Sequence, residues 1–153
     1  MIINVARIPE SGQNFHEEEP GEILELGEGD EFRPSGPIVC DLYAQVVDQI
    51  LIVRGKLSVS LEAHCARCTQ IFSTTVADSG FLRDFPGIQG TEEVDITQDI
   101  REALILNLPH FPLCDEACKG LCARCGKDLN GGSCGCRKTE EGGAWGALNN
   151  LKL

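Results

Sequence analysis

The stretch Leu57-Ser58-Val59-Ser60-Leu61-Glu62-Ala63-His64-Cys65-Ala66-Arg67-Cys68 decides how this chain is read. Leu57, Val59, Leu61 and Ala63 fall on one face and Ser58, Ser60 and Glu62 on the other. That period of two marks a half-buried β-strand. The strand runs directly into a Cys-x-x-Cys pair, after which Phe72, Thr74 and Val76 resume the alternation. Two thiols are therefore expected at the tip of a β-hairpin.

Upstream, Ile38 to Val53 is rich in β-branched residues and reads as two strands joined near Asp48-Gln49, with Gly55 marking a turn. Residues 2–8 look like a first strand. Residues 9–36 are acidic and punctuated by Gly and Pro, and read as a long loop with one short element around Ile23, Leu24 and Leu26. Downstream, Phe81–Phe85 suggests a further short strand. The period then changes: Ile96, Ile100, Ala103, Leu104 and Leu108 recur at three- and four-residue intervals, predicting a helix that Asp95 or Thr97 caps and Pro109 stops. A last short helix is expected at 144–152, where Trp145, Leu148 and Leu151 share a face. The fold class is α+β: a mainly antiparallel β-sheet with one central helix and a zinc-stapled, cysteine-rich C-terminal segment. The expected parts are 1–36 (strand plus acidic loop), 37–113 (β-rich core with the helix), 114–138 (zinc-binding) and 139–153 (C-terminal helix).

Eight of the nine cysteines come in close pairs: Cys65 and Cys68, Cys114 and Cys118, Cys122 and Cys125, Cys134 and Cys136. Zinc takes four thiolates tetrahedrally, and a tight turn brings two cysteines of such a pair to one ion. In Cys122-Ala123-Arg124-Cys125-Gly126 the glycine relieves crowding where the backbone turns its amides toward sulfur. Two groupings compete. In one, Cys65, Cys68, Cys114 and Cys118 bind one ion and Cys122, Cys125, Cys134 and Cys136 a second; in the other, a single ion is held in the knuckle region and the remaining thiols are spare. The first is favoured, because unused thiols would be open to oxidation. An iron–sulfur cluster has the same ligand type. His64 and His110 neighbour the pairs and could replace a thiolate, whereas Cys40 lies in an apolar strand and reads as a small buried hydrophobe.

The 153 residues carry 24 acidic and 13 basic side chains, a net charge of −11. Only 114–138 is locally basic, with Lys119, Arg124, Lys127, Arg137 and Lys138 against Asp115, Glu116 and Asp128. An acidic chain of this kind suits basic protein partners, and its small basic segment is the place for a nucleic-acid contact. The N-terminal residues lack the pattern of a secretory signal, and no apolar run approaches the ~20 residues of a membrane helix. A reducing cytoplasm is the expected compartment, which favours metal sites over structural disulfides. No Ser/His/Asp or Cys/His arrangement, phosphate loop or HExxH helix is present, so an enzyme is not expected. A Cys-x-x-Cys thiol–disulfide oxidoreductase and a zinc-dependent nucleic-acid-binding module are the alternatives.

Gly55 through Cys68, the run Asp99 to Pro109, and Pro112 through Cys118-Lys119-Gly120-Leu121-Cys122 to Leu129-Asn130 together resemble the YceD family, the large ribosomal RNA subunit accumulation proteins. Trp145 to Lys152 resembles the family's ending, so the resemblance extends over most of 38–153 and makes the chain a single YceD-like domain, 1–153. It implies a role in accumulation or processing of large-subunit ribosomal RNA, with no established enzymatic activity. Some family members lack the later cysteines while keeping counterparts of Cys65, Cys68 and Cys118, which supports two separate sites. The implied partner is a large-subunit ribosomal precursor, met through rRNA or basic ribosomal proteins, with no membrane and no small-molecule substrate. Two zinc ions are expected, and Arg67, Lys119, Arg124, Lys127, Arg137 and Lys138 are the candidate contacts to RNA or the ribosomal surface.

Overall fold

In a computed structural model, which describes residues 1–27, 29–88 and 93–136, the chain builds one long antiparallel sheet and covers one face of it. The strands are β1 (Ile2–Asn4), β2 (Gln13–Glu19), β3 (Phe32–Val47), β4 (Ile50–His64), β5 (Ile71–Pro86) and β6 (Glu93–Asp95), followed by the helix α1 (Thr97–Leu106). The sheet order is β2-β3-β4-β5, and β1 pairs separately with β6. The expected architecture, mainly antiparallel with one α-helix among the described residues, is what forms. No helix among them is long and apolar enough to cross a membrane.

β3 and β4 meet at Asp48 and Gln49, both in the left-handed region (φ 48° and 65°), as a two-residue hairpin with right-handed strand twist requires. The inner face is lined by Ile38, Leu42, Leu51, Val53, Leu57 and Leu61, all at most 2% exposed. Ile100, Ala103 and Leu104 of α1 close this core, each buried side chain of leucine size stabilising by about 1.5–3 kcal/mol relative to exposure. Asp95 accepts from the amide of Thr97 at 2.9 Å, starting the helix. Arg83 of β5 pairs with Asp99 at 3.1 Å, which ties the helix to the sheet, and Arg101 pairs with Glu25 at 3.2 Å, which ties it to the segment between β2 and β3. Cys40 is fully buried in the core, and burial pushes its thiol up to about 11.

Four expectations need correction. The acidic residues 9–36 are not a loop with one short element: they hold β2, a 3-10 turn at Gly21–Leu24 and the start of β3. β2 has a single large apolar side chain, Phe15, so its pattern is that of an edge strand paired through its backbone to the longer β3, with carboxylates discouraging further pairing. Gly55 is no turn but mid-strand in β4, where a Cβ would stand 2.1 Å from the carbonyl oxygen of Asp41. The segment 81–85 continues β5 after an irregularity in register opposite Gly55 and Leu57, with Asp78 accepting from the amide of Gly80 at 2.8 Å. The first strand ends at Asn4 and passes into a 3-10 turn, Val5–Arg7. The C-terminal helix expected at 144–152, with Trp145, lies outside the described residues.

Candidate metal centres

The β4–β5 hairpin delivers Cys65 and Cys68 at its tip, as expected. The chain after α1 returns to that tip: Ala66 donates its amide to the carbonyl of Pro112 at 2.8 Å, and Cys114 and Cys118 arrive beside the first pair. Cys65 Sγ lies 3.8 Å from Cys118 Sγ, and Cys68 Sγ 3.6 Å from Cys114 Sγ. A tetrahedron of sulfurs around an ion at about 2.3 Å has edges of about 3.8 Å, far longer than a disulfide bond. The four thiols are therefore positioned to hold one metal ion. Cys122, Cys125, Cys134 and Cys136 form a second group, the ligand atoms of each group lying within 4.8 Å of one another. This is the two-site grouping. His64 is exposed, with Nδ1 3.3 Å from the carbonyl oxygen of Thr69, and His110 is exposed; neither joins a group.

Both centres rest on the same backbone device. Cys65 to Gln70 and Cys122 to Lys127 each begin Cys-Ala-Arg-Cys. The amides of Thr69 and Gly126 donate to the carbonyls of Cys65 and Cys122, both at 2.8 Å, and the amides of Cys65 and Cys122 donate to the carbonyls of Gln70 and Lys127, both at 2.9 Å. Thr69 and Gly126 are left-handed, with φ 62° and 70°. The turn aims amides at the first sulfur of each pair. Hydrogen bonds from the backbone of Cys114, then of Cys68 and Arg67, bring the Cys65 thiol down to about 6; those from Cys125 and Arg124 do the same for Cys122, also to about 6. At the other extreme, burial and the neighbouring Cys65 and Cys68 push Cys114 up to about 12, and Cys125 and Cys134 push Cys136 up to about 12. Each group takes its first negative charge readily and resists the last, the condition that a bound cation relieves.

The two centres differ in burial. Cys65, Cys68 and Cys118 are 1%, 3% and 6% exposed and pack against Phe72 and Leu113, whereas Cys125 is exposed and its three companions are half-buried. Gly120 joins the centres, passing so close to the hairpin tip that a Cβ would stand 2.8 Å from the Arg67 carbonyl, with φ at 70°. Leu121 donates its amide to that carbonyl at 3.0 Å. Asn130 completes the link, accepting from the amide of Lys119 at 2.7 Å and turning its side-chain amide to Cys118 Sγ at 3.4 Å. Sequence reasoning missed Asn130; its place five residues after Cys125, on the return from the second knuckle, was the available signal.

Of the expected RNA or ribosome contacts, Lys119, Arg124 and Lys127 are exposed around the centres, Lys127 donating to the carbonyl of Ser133 at 3.2 Å. Arg67 donates to the carbonyls of Glu116 and Cys118 at 3.0 and 2.9 Å. Arg124, its counterpart in the second knuckle, makes no such bond among the described residues. Arg137 and Lys138 lie outside the described residues.

The model of the family described as large ribosomal RNA subunit accumulation protein YceD matches residues 83–152, which includes Cys114 to Cys136 but not the hairpin pair Cys65 and Cys68. The matched part is thus narrower than the resemblance over 38–153. Among curated proteins, a large ribosomal RNA subunit accumulation protein YCED homolog 1, chloroplastic, of Arabidopsis thaliana is 39% identical over 61 residues, covering 40% of this chain and 19% of that protein. An uncharacterized protein of Mycobacterium tuberculosis is 30% identical over 103 residues, covering 58% of this chain and 50% of its own length. An uncharacterized protein of Mycobacterium leprae is 28% identical over 109 residues, covering 61% and 49%. The chain thus spans about half the length of the mycobacterial relatives and a fifth of the chloroplast one. No solved structure matches.

Proposed function

From its place in the YceD family, we propose that this chain is a cytoplasmic ribosome-assembly factor that promotes accumulation or processing of large-subunit ribosomal RNA, with two structural zinc ions and no enzymatic activity. The observation that carries the reading is the pair of four-sulfur groups set beside Lys119, Arg124 and Lys127, three basic side chains in the locally basic segment of an acidic chain. Cys65, Cys68, Cys114 and Cys118 would hold one ion and Cys122, Cys125, Cys134 and Cys136 the other. Zinc in such sites supplies a cross-link and no reaction, because four thiolates fill its tetrahedral shell. The single-ion spacing of the sulfurs favours zinc over an iron–sulfur cluster, whose several irons would hold the cysteines further apart. Burial of Cys65 and Cys68 disfavours thiol–disulfide exchange at that pair.

The partner proposed is a precursor of the large subunit, contacted through rRNA or basic ribosomal proteins. Deletion of the gene tests this: mature large-subunit rRNA should fall relative to small-subunit rRNA, and the tagged protein should sediment with large-subunit precursors rather than with translating ribosomes. Unchanged rRNA ratios in the deletion strain would remove the reading.

A further inference from the structure

The face of the sheet turned away from α1 carries a trough of about 750 Å³ that crosses all four long-sheet strands at the level of Gly55. Arg54 and Lys56 alternate with the buried Val53 and Leu57, so their side chains stand on this outer face. Register brings three further groups to them: Tyr43 is the partner of Arg54, Asp41 of Lys56, and His16 of Asp41. The Arg54 guanidinium lies over the Tyr43 ring, 5.1 Å from its centroid. Neither Arg54 nor Lys56 has an ion pair among the described residues. Asp41, the one carboxylate lining the trough, is hydrogen-bonded to His16. Two uncompensated cations and a planar aromatic–guanidinium stack thus lie together on a chain of net charge −11.

We propose that this trough is a docking site for a single-stranded RNA segment, which rests on the ribosomal reading above for the RNA it meets in the cell. Lys56 and Arg54 would each neutralise a phosphate, and the Arg54–Tyr43 stack offers a plane on which an unpaired base lies. Sheet faces with an aromatic platform bind RNA in this way, laying down two or three bases, and four strands provide a width of roughly 14 Å for them. A duplex fits poorly, because its bases are already stacked and its groove edges cannot reach the platform. The trough is separate from the basic residues of the metal centres, so it is an additional surface.

The test uses the full chain with its metal and a fluorescent mixed-sequence single-stranded oligoribonucleotide, titrated at two salt concentrations. Arg54→Glu with Lys56→Glu should weaken binding at least about tenfold and reduce the salt slope by about 1.4, at ~0.7 for each phosphate no longer neutralised. Metal content and thermal midpoint should stay near those of the parent. Arg54→Lys keeps the charge and loses the plane, and should weaken binding less while leaving the slope unchanged. A parent that binds no single-stranded RNA, or a double variant that binds as the parent does, overturns the proposal. Complementation of the deletion strain separates the two readings. If deletion lowers large-subunit rRNA and the double variant restores it fully, the trough has no such role and the ribosomal reading stands. If deletion leaves the rRNA ratio unchanged while the double variant still loses RNA binding, the trough stands and the ribosomal reading falls. Failure to complement with RNA affinity intact would assign the face to a protein partner and overturn the RNA occupant.

Discussion

Arg67 and Cys118 are 51 residues apart in sequence, yet the Arg67 guanidinium donates to the Cys118 carbonyl oxygen at 2.9 Å. The same Nη1 donates to the carbonyl of Glu116 at 3.0 Å, and the Arg67 backbone carbonyl receives Leu121. One residue of the hairpin tip thus holds three points of the loop that supplies the other half of the first centre. Arg67→Ala is expected to cost about 1.5–3 kcal/mol, the range for hydrogen bonds that involve a charged group. Denaturant unfolding measures it, and Arg67→Lys, which lacks the planar fork, should recover only part. A variant as stable as the parent would show that these bonds contribute nothing.

Metal analysis of the purified protein should give close to two zinc ions per chain and no iron chromophore. Changing Cys65 and Cys68 to Ser, or Cys134 and Cys136 to Ser, should each remove one ion. One ion in the parent would contradict the two-centre arrangement.

The two losses should differ in their effect on the fold. The first pair is buried and joins the sheet to a segment about fifty residues later, whereas the second group closes only its own loop. The Cys65/Cys68 variant should therefore lose more thermal stability than the Cys134/Cys136 variant, and a chelator should withdraw the exposed second ion first. Equal destabilisation, read by calorimetry, would count against the asymmetry.

Gly55→Ala places a methyl 2.1 Å from the Asp41 carbonyl oxygen and 2.8 Å from the Leu42 Cα, both backbone atoms of the neighbouring strand. The strands must separate to admit it, at a cost of about 2 kcal/mol or more. A thermal midpoint equal to that of the parent would contradict this.

His16 is held above its ordinary value of 6.5 by its hydrogen bond to Asp41 and then by the charge of that carboxylate. The sign follows from linkage: a raised folded-state value means the pair stabilises the fold below pH 6.5, and the contribution is lost as pH rises through the folded value. Both side chains are largely exposed, so the effect on overall stability is small. NMR titration should place the His16 midpoint above 6.5, and Asp41→Asn should lower it. A midpoint that Asp41→Asn leaves in place would remove the interaction.

Local pattern carried most of the architecture. Alternation at 57–63 and 72–76 specified the hairpin, and the three- and four-residue period at 96–108 specified the helix, because a face must be apolar where it meets the core. β2 was hidden for the opposite reason: its pairing comes from backbone bonds to β3, which leave no mark on side-chain composition. Gly55 was misread because a glycine forced by a neighbouring strand looks, in one dimension, like a glycine required by a turn.

The sequence by itself determined that paired thiols would stand at a hairpin tip and on a turn-rich segment beyond the helix, since cysteine spacing within a pair is a local property. It could not decide which pairs share a centre. Cys65 and Cys118 meet across 53 residues only because α1 packs on the inner face of the sheet and returns the chain to the β4–β5 tip. The outer trough is likewise tertiary. His16, Asp41, Tyr43, Arg54 and Lys56 come from three strands, and strand register, set by which faces must be buried, places them side by side.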